Sequence, residues 1–170
     1  MKSIFYSLSS IRNTGHDFLG KSTGAGSLSI WTHNLKAFEY IPRFSLGDYQ
    51  GAAARVGTGL QAYDLNREMA ARNITIIGPI TSTVGAFGGW TLGGGHSTFT
   101  SYYGLGADQI LSAQIVTADG RLLTADADTN SDLFWAICGG GGSKYSFSIS
   151  YLPSLKVLSL PHATHLTNSL

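Results

Sequence analysis

Arg12 to Gly24 reads RNTGHDFLGKSTG, and two chemistries compete for it. Taken literally, Gly15, Gly20, Lys21 and Ser22 satisfy GxxxxGK followed by Ser or Thr, the pattern of a loop that cradles nucleotide phosphates. Such a P-loop has to open directly into a helix, because the helix N-terminus and successive backbone N–H groups supply the field that holds phosphate. Here Ser22 is followed by Thr23-Gly24-Ala25-Gly26-Ser27, and each glycine costs about 1 kcal/mol inside a helix. No helix is expected to start there. An acidic magnesium ligand is equally hard to place, since Asp119-Gly120 is better explained as a turn. The other chemistry makes His16 the centre of the stretch.

Outward from this loop the pattern is mixed. Ile4 to Ile11 is apolar and hydroxyl-rich, consistent with a strand feeding the loop, and Leu28–Trp31 and Ala37–Ile41 are short β-type segments. Ala53–Val56 leads into Gly57-Thr58-Gly59. Gln61 to Arg72 has helical spacing, with Leu65 and Met69 on one face and Glu68 and Arg72 four apart. Gly57 to Ala62 thus forms a GxGxxA between strand and helix, the dinucleotide arrangement of a Rossmann fold. That fold requires an acidic residue about 20 positions on, and none stands between Glu68 and Asp108. A tight strand-to-helix turn accounts for these glycines.

Further on, Ile74–Ile77 suits a buried strand ended by Gly78-Pro79. Ile110–Thr117, Asp119-Gly120 and Leu122–Thr124 read as a hairpin. Asn130 and Ser131 can cap a short helix Asp132–Ile137 that stops at Gly139–Gly142. The fold class is α+β or α/β in one domain of 170 residues.

Composition narrows the partners. The 22 glycines are about 13% of the chain, nearly twice the usual ~7%, and they gather in runs between apolar segments, as where backbone comes close to something. Charged residues are 12%, against about 25% in ordinary soluble domains, so further polypeptide or a ligand is expected to cover part of the surface. A net charge of +1 without a Lys/Arg cluster favours neither nucleic acid nor an anionic membrane. No segment approaches the ~18 apolar residues of a membrane span, and the opening MKSIFYSLSS is too short in apolar residues for a signal peptide. Cys138, the single cysteine, excludes an internal disulfide and a CxxC metal site. Asn73-Ile74-Thr75 matches a glycosylation sequon, a triplet common by chance.

Three glycine regions taken together are more specific than any one. RNTGHDFLGKSTG, TVGAFGGWTLGGGHSTFTSYYGLGADQILSAQIVTADG from Thr83 and NSDLFWAICGGGG from Asn130 resemble, in order and spacing, the flavin-binding domain of the vanillyl alcohol oxidase and p-cresol methylhydroxylase superfamily. The resemblance is to its berberine-bridge-enzyme-like branch, including fungal isoamyl alcohol oxidase-like proteins, and spans about Ile11 to Gly142. It implies an α+β, PCMH-type FAD-binding domain with mixed α/β subdomains, incomplete at both ends. Residues 1–10 would be the remnant of an N-terminal subdomain, 11–150 a partial FAD-binding domain and 151–170 an unassigned tail.

The chemistry agrees with such a cofactor. FAD carries a pyrophosphate that needs backbone donors at close range and a flat ring that needs side-chain-free backbone beside it, and glycine meets both needs. The resemblance implies that His16 is bonded to the 8α carbon of the flavin. It also implies that Arg12, Asn13, Thr14, Gly15, Asp17 and the Gly20, Lys21, Ser22, Thr23 segment lie along the phosphates. Thr83, Val84, Gly85, Gly88, Gly89, Gly94, Gly95 and His96 would run past the cofactor. Some relatives add a second tether through a cysteine two residues before Thr-Val-Gly; Thr81 stands there, so a single covalent bond is expected. Where relatives continue GGGGGTYGVVTS into a substrate domain, this chain has Ser143 to Ile149 of a different character. No metal and no catalytic base can be named. The implied whole-protein activity is oxidation of an alcohol or related small molecule, with dioxygen as acceptor. A catalytically inactive fragment and a P-loop nucleotide binder stand as alternatives.

Overall fold

The computed structural model describes residues 9–142 and 154–156. Two sheets organise them. Strands β1 (Ser9–Arg12) and β2 (Leu28–Trp31) pair in parallel. A five-stranded antiparallel sheet runs in the order β3-β4-β7-β5-β6, from β3 (Phe38–Leu46), β4 (Tyr49–Val56), β5 (Ile110–Val116), β6 (Leu122–Asp126) and β7 (Ser154–Lys156). The strand β7 lies within the tail that the sequence left unassigned, and it joins β4 to β5. The expected strand from Ile4 begins outside the described residues, as do Ser143 to Ile149; its described end is β1.

Helix α1 (Ala62–Arg72) forms where its periodicity places it. Its first turn is secured by the Asp64 carboxylate, which accepts the Gln61 N–H at 3.1 Å, and it ends at Asn73 in the left-handed region. Burial of Asp64 raises its pKa, but hydrogen bonds from Lys36 and from the Gln61 backbone outweigh this and leave it lowered. Ala62 and Leu65 are buried, with Met69 packed beside them, and the Glu68–Arg72 ion pair, spaced i,i+4, flanks that face with Arg72 over the Phe38 ring. The hairpin β5–β6 turns at Asp119-Gly120, where Gly120 N–H donates to Thr117 O.

Three elements differ from expectation. Ile74 to Ile77 is buried but is not a strand; Ile76 N–H donates to the Met69 sulfur at 3.0 Å instead of to a ladder partner. The second glycine region contains two one-turn helices, α2 (Gly89–Leu92) and α3 (Thr100–Tyr103). In α2 burial of Thr91 and Leu92, with the Thr91 hydroxyl on Ala86 O, overrides poor propensity. Helix α4 (Ser131–Ile137) starts as expected at Asn130, yet the Asn130 amide donates to Thr124 O and not to the helix.

The core has two adjoining parts. Val56, Leu65, Ile76, Phe87 and Ile110 centre one, and Leu92, Ala113, Ile115, Ala125 and Ile137 form the other; Phe134 and Cys138 pack against both. Burial, together with Asp108, pushes the Cys138 thiol up to about 11, as befits a core residue.

The Gly57-Thr58-Gly59 turn serves packing. A Cβ on Gly57 would lie 2.1 Å from the Leu35 carbonyl oxygen, and one on Gly59 2.4 Å from that of His33. Gly57 N–H donates to Ala37 O and Gly59 N–H to Leu35 O, both at 2.8 Å. Backbone therefore occupies the space a nucleotide would need. Gly57→Ala should destabilise the chain by about 2 kcal/mol or more, read as a lowered urea midpoint; an unchanged midpoint would show that the 32–37 loop yields freely.

Candidate functional site

Strand β1 leads into the RNTGHD loop, whose Asn13 side chain reaches Thr58 O just beyond β4. Thr32 N–H donates to Arg12 O at 2.9 Å and the Trp31 indole N–H to Asn13 O at 2.9 Å, so β2 fixes the loop's first two carbonyls. Asp17 closes the next turn. Its Oδ2 accepts from Leu19 N–H at 3.1 Å and Lys21 N–H at 2.7 Å, while Oδ1 pairs with the Lys21 ammonium. The Lys21 side-chain hydrogen bond is the largest influence holding the Asp17 carboxyl below its ordinary 3.8. After Ser22 the chain makes turns at Gly20–Thr23 and Gly24–Ser27, with no helix. The P-loop alternative loses its anchor, and its lysine is already engaged.

Across from this loop runs the second glycine region. His16 Nε2 and Thr83 Oγ1 are 2.9 Å apart, so the exposed imidazole is held by a hydroxyl from the other segment. Between the segments lies a cavity of about 1050 Å³, at the upper end of small-molecule sites, which run to roughly 1,000 Å³.

The cavity brings most of the expected residues to its lining. From the first loop come Asn13, Thr14, Gly15, His16, Asp17, Lys21 and Ser22; from the second come Val84, Gly85, Gly88, Gly89, Gly95 and His96. The third glycine run closes it with Gly141 and Gly142, where Gly141 N–H donates to Leu92 O at 2.7 Å. Arg12, Gly20, Thr23, Thr83 and Gly94 are not on the wall. Arg12 packs on Gly15, Gly20 and Thr23 shape a turn, Thr83 holds His16, and Gly94 O accepts from Ala107 N–H. The sequence did not point to Thr32, Thr58, Phe87, Trp90 or Ala118, which also line the cavity. Thr58 stands between two glycines, and Phe87 and Trp90 flank Gly88-Gly89 in the second glycine region, so these three carry a signal; Thr32 and Ala118 have no adjacent glycine.

These walls fit a dinucleotide. A Cβ on Gly88, where φ is +133°, or on Gly89, Gly141 or Gly142 would meet no atom within 4 Å. These four line the cavity, so their open faces leave its space free for a ligand. Asn13 Oδ1 in the wall is buried with no hydrogen-bond partner, an acceptor available to a ligand hydroxyl or N–H. Among the described residues no cluster of His, Cys, Asp or Glu could hold a metal, and no helix is long and apolar enough to cross a membrane. Cys138 is partly buried, packed against both core clusters, and is not on the wall, and Thr81 is exposed.

Comparison with known proteins gives the same direction. The profile of the FAD binding domain family matches residues 9–126. The chain is 47% identical over 146 residues to the FAD-linked oxidoreductase patO of Penicillium expansum, covering 86% of this chain and 25% of that protein. The crystal structure of the VAO-type flavoprotein MtVAO615 from Myceliophthora thermophila C1 superimposes with a TM-score of 0.85 at 43% identity, over 89% of this chain and 27% of that one. A BBE-like protein from Arabidopsis thaliana gives a TM-score of 0.75 at 29% identity, over 91% and 30%. The chain spans about a quarter of the length of the fungal relatives.

The Asp17 turn has a pH signature. A carboxyl lowered in the folded state contributes stability above its ordinary 3.8 and loses it as pH falls through the lower folded value. The Leu19 and Lys21 amide resonances should therefore hold steady from about pH 7 to about pH 4 and move only below that. Asp17→Asn should remove the movement and, because the pair is exposed, change stability at neutral pH by under about 1 kcal/mol.

Proposed function

Since the chain belongs to the FAD binding domain family, we propose that FAD lies in the cavity between the three glycine segments and that His16 is its point of attachment. The open faces of Gly88, Gly89, Gly141 and Gly142 carry this proposal, because they bring side-chain-free backbone from two separate segments to one space. Thr14, Gly15 and Ser22 hold the phosphates with backbone N–H and hydroxyl donors, and the Lys21 ammonium adds positive charge shared with Asp17. Asp17 acts through the loop, by fixing the turn that presents these donors.

His16 has a defined orientation. Its Nε2 is engaged with the Thr83 hydroxyl, which leaves Nδ1 as the nitrogen for a bond to the cofactor. A tether at this point holds the ring in register and can raise its potential.

Bound FAD supplies acceptance of hydride from a substrate and delivery of electrons to dioxygen, giving hydrogen peroxide. For the longer protein of which this domain is typical, we propose oxidation of an alcohol or related small molecule. Within the described residues the contribution is to bind, orient and tether the cofactor; no side chain of the cavity is assigned as catalytic base.

Acid precipitation of the purified chain should leave a yellow pellet, and His16→Ala should give a colourless pellet while FAD still binds reversibly. A colourless wild-type pellet with no flavin in the supernatant would overturn FAD binding; flavin in the supernatant alone would overturn only the tether. Lys21→Ala should weaken FAD retention by roughly three- to tenfold, without any magnesium-dependent ATP binding to lose.

A further inference from the structure

The Asn13 side chain does something other than contact phosphate. Its Nδ2 donates to the Thr58 carbonyl oxygen. The reverse amide orientation would set two carbonyl oxygens against each other at hydrogen-bond distance, so the donor end is committed to the protein. The same amide fills the space beside Gly85. A Cβ on Gly85 would lie 2.2 Å from Asn13 Nδ2 and 2.9 Å from Cγ. Gly85 has no positive φ to explain its identity; what excludes a side chain there is Asn13.

Neither partner can easily give way. Gly85 sits in a segment held on α1 and its approach: Ala62 N–H donates to Val84 O at 2.9 Å, Ala86 N–H to Leu60 O at 2.8 Å, and the Gln61 amide to Thr83 O at 3.1 Å. Asn13 is short, fixed at its tip by Thr58 O and at its own carbonyl by the Trp31 indole. Three segments that line the cavity thus meet at one carboxamide: the first loop, the Gly57–Gly59 turn and the second loop.

We infer that Asn13 is the positioning residue of this site, a wedge that sets the distance between the His16 loop and the Thr83–Gly88 segment, and that Gly85 is glycine to admit it. Its consequence for the cofactor rests on the function proposed above; the steric coupling itself does not. With the wedge in place, His16 and Thr83 meet across the gap at 2.9 Å.

The test is a double-mutant cycle read two ways. Gly85→Ala alone should lower the urea midpoint and weaken FAD binding by about tenfold or more. Combined with Asn13→Ala it should recover most of that loss, because the residue-13 Cβ is 3.6 Å from the new methyl, an ordinary contact. Asn13→Asp keeps the bulk but cannot donate to Thr58 O, so it should fail to rescue Gly85→Ala. Asn13→Ala alone should keep the far-UV dichroism of the wild type while slowing covalent flavin retention and altering the visible dichroism of bound flavin. A silent Gly85→Ala, or losses that simply add in the double variant, would overturn the wedge. Because the urea arm needs no FAD, a wild-type chain that binds none would defeat the proposed function and still leave the coupling decided.

Discussion

Three backbone hydrogen bonds hold the site together: Ala62 N–H to Val84 O, Tyr63 N–H to Ser82 O and Ala86 N–H to Leu60 O. They clamp the second glycine segment across the start of α1. Because Leu60 and Leu65 are rooted in the core with Phe87 and Ile76, the segment inherits the rigidity of that core. What faces the cavity from this side, between Val84 and Gly89, sits in a segment placed by main chain bonded to main chain. A loop so held can present bare backbone to a ligand without the entropy that a free loop would lose on binding.

That clamp also explains why glycine in this chain has two separate meanings. Gly57, Gly59 and Gly85 are filled against by other parts of the protein, at 2.1 to 2.4 Å from where a Cβ would be. Gly88, Gly89, Gly141 and Gly142 face open space inside one cavity. The first group is held by packing within the protein; the second, on the function proposed above, faces the ligand. Their letters are identical, so a linear pattern cannot separate them; Gly57-x-Gly59 imitates a dinucleotide signature while facing a neighbouring loop, and Gly15-x4-Gly20-Lys21-Ser22 imitates another while forming turns around Asp17. Only the atoms opposite each glycine decide.

What could be read from sequence had a local cause. The α1 periodicity, the Asp119-Gly120 hairpin and the helix beginning at Asn130 depend on residues near one another in the chain, and each forms with small shifts of boundary. The family was legible through the order of three motifs, because the order survives even when each motif alone is ambiguous. Illegible were features set by distant partners. Ile74 to Ile77 has strand composition, but its Ile76 N–H meets a methionine sulfur. Thr58 and Asn13 hydrogen-bond across 45 positions, and Trp31 reaches back 18 to the Asn13 carbonyl. No window on the sequence contains both ends of such contacts.

The electrostatics follow the same logic. The cavity carries little charge of its own, since the Lys21 ammonium is paired with Asp17 at the rim, and the described ion pairs elsewhere are partly or largely exposed and weak contributors. On the function proposed above, such a site meets an anionic dinucleotide with many fixed dipoles and hydroxyls instead of a basic patch, which is compatible with a chain of net charge +1. The cost is geometric intolerance. Long-range charge attraction forgives a displacement of an ångström, whereas hydrogen bonds weaken steeply with angle and distance. The low charge and the high glycine content are therefore two expressions of one design, in which shape carries the recognition that charge carries elsewhere.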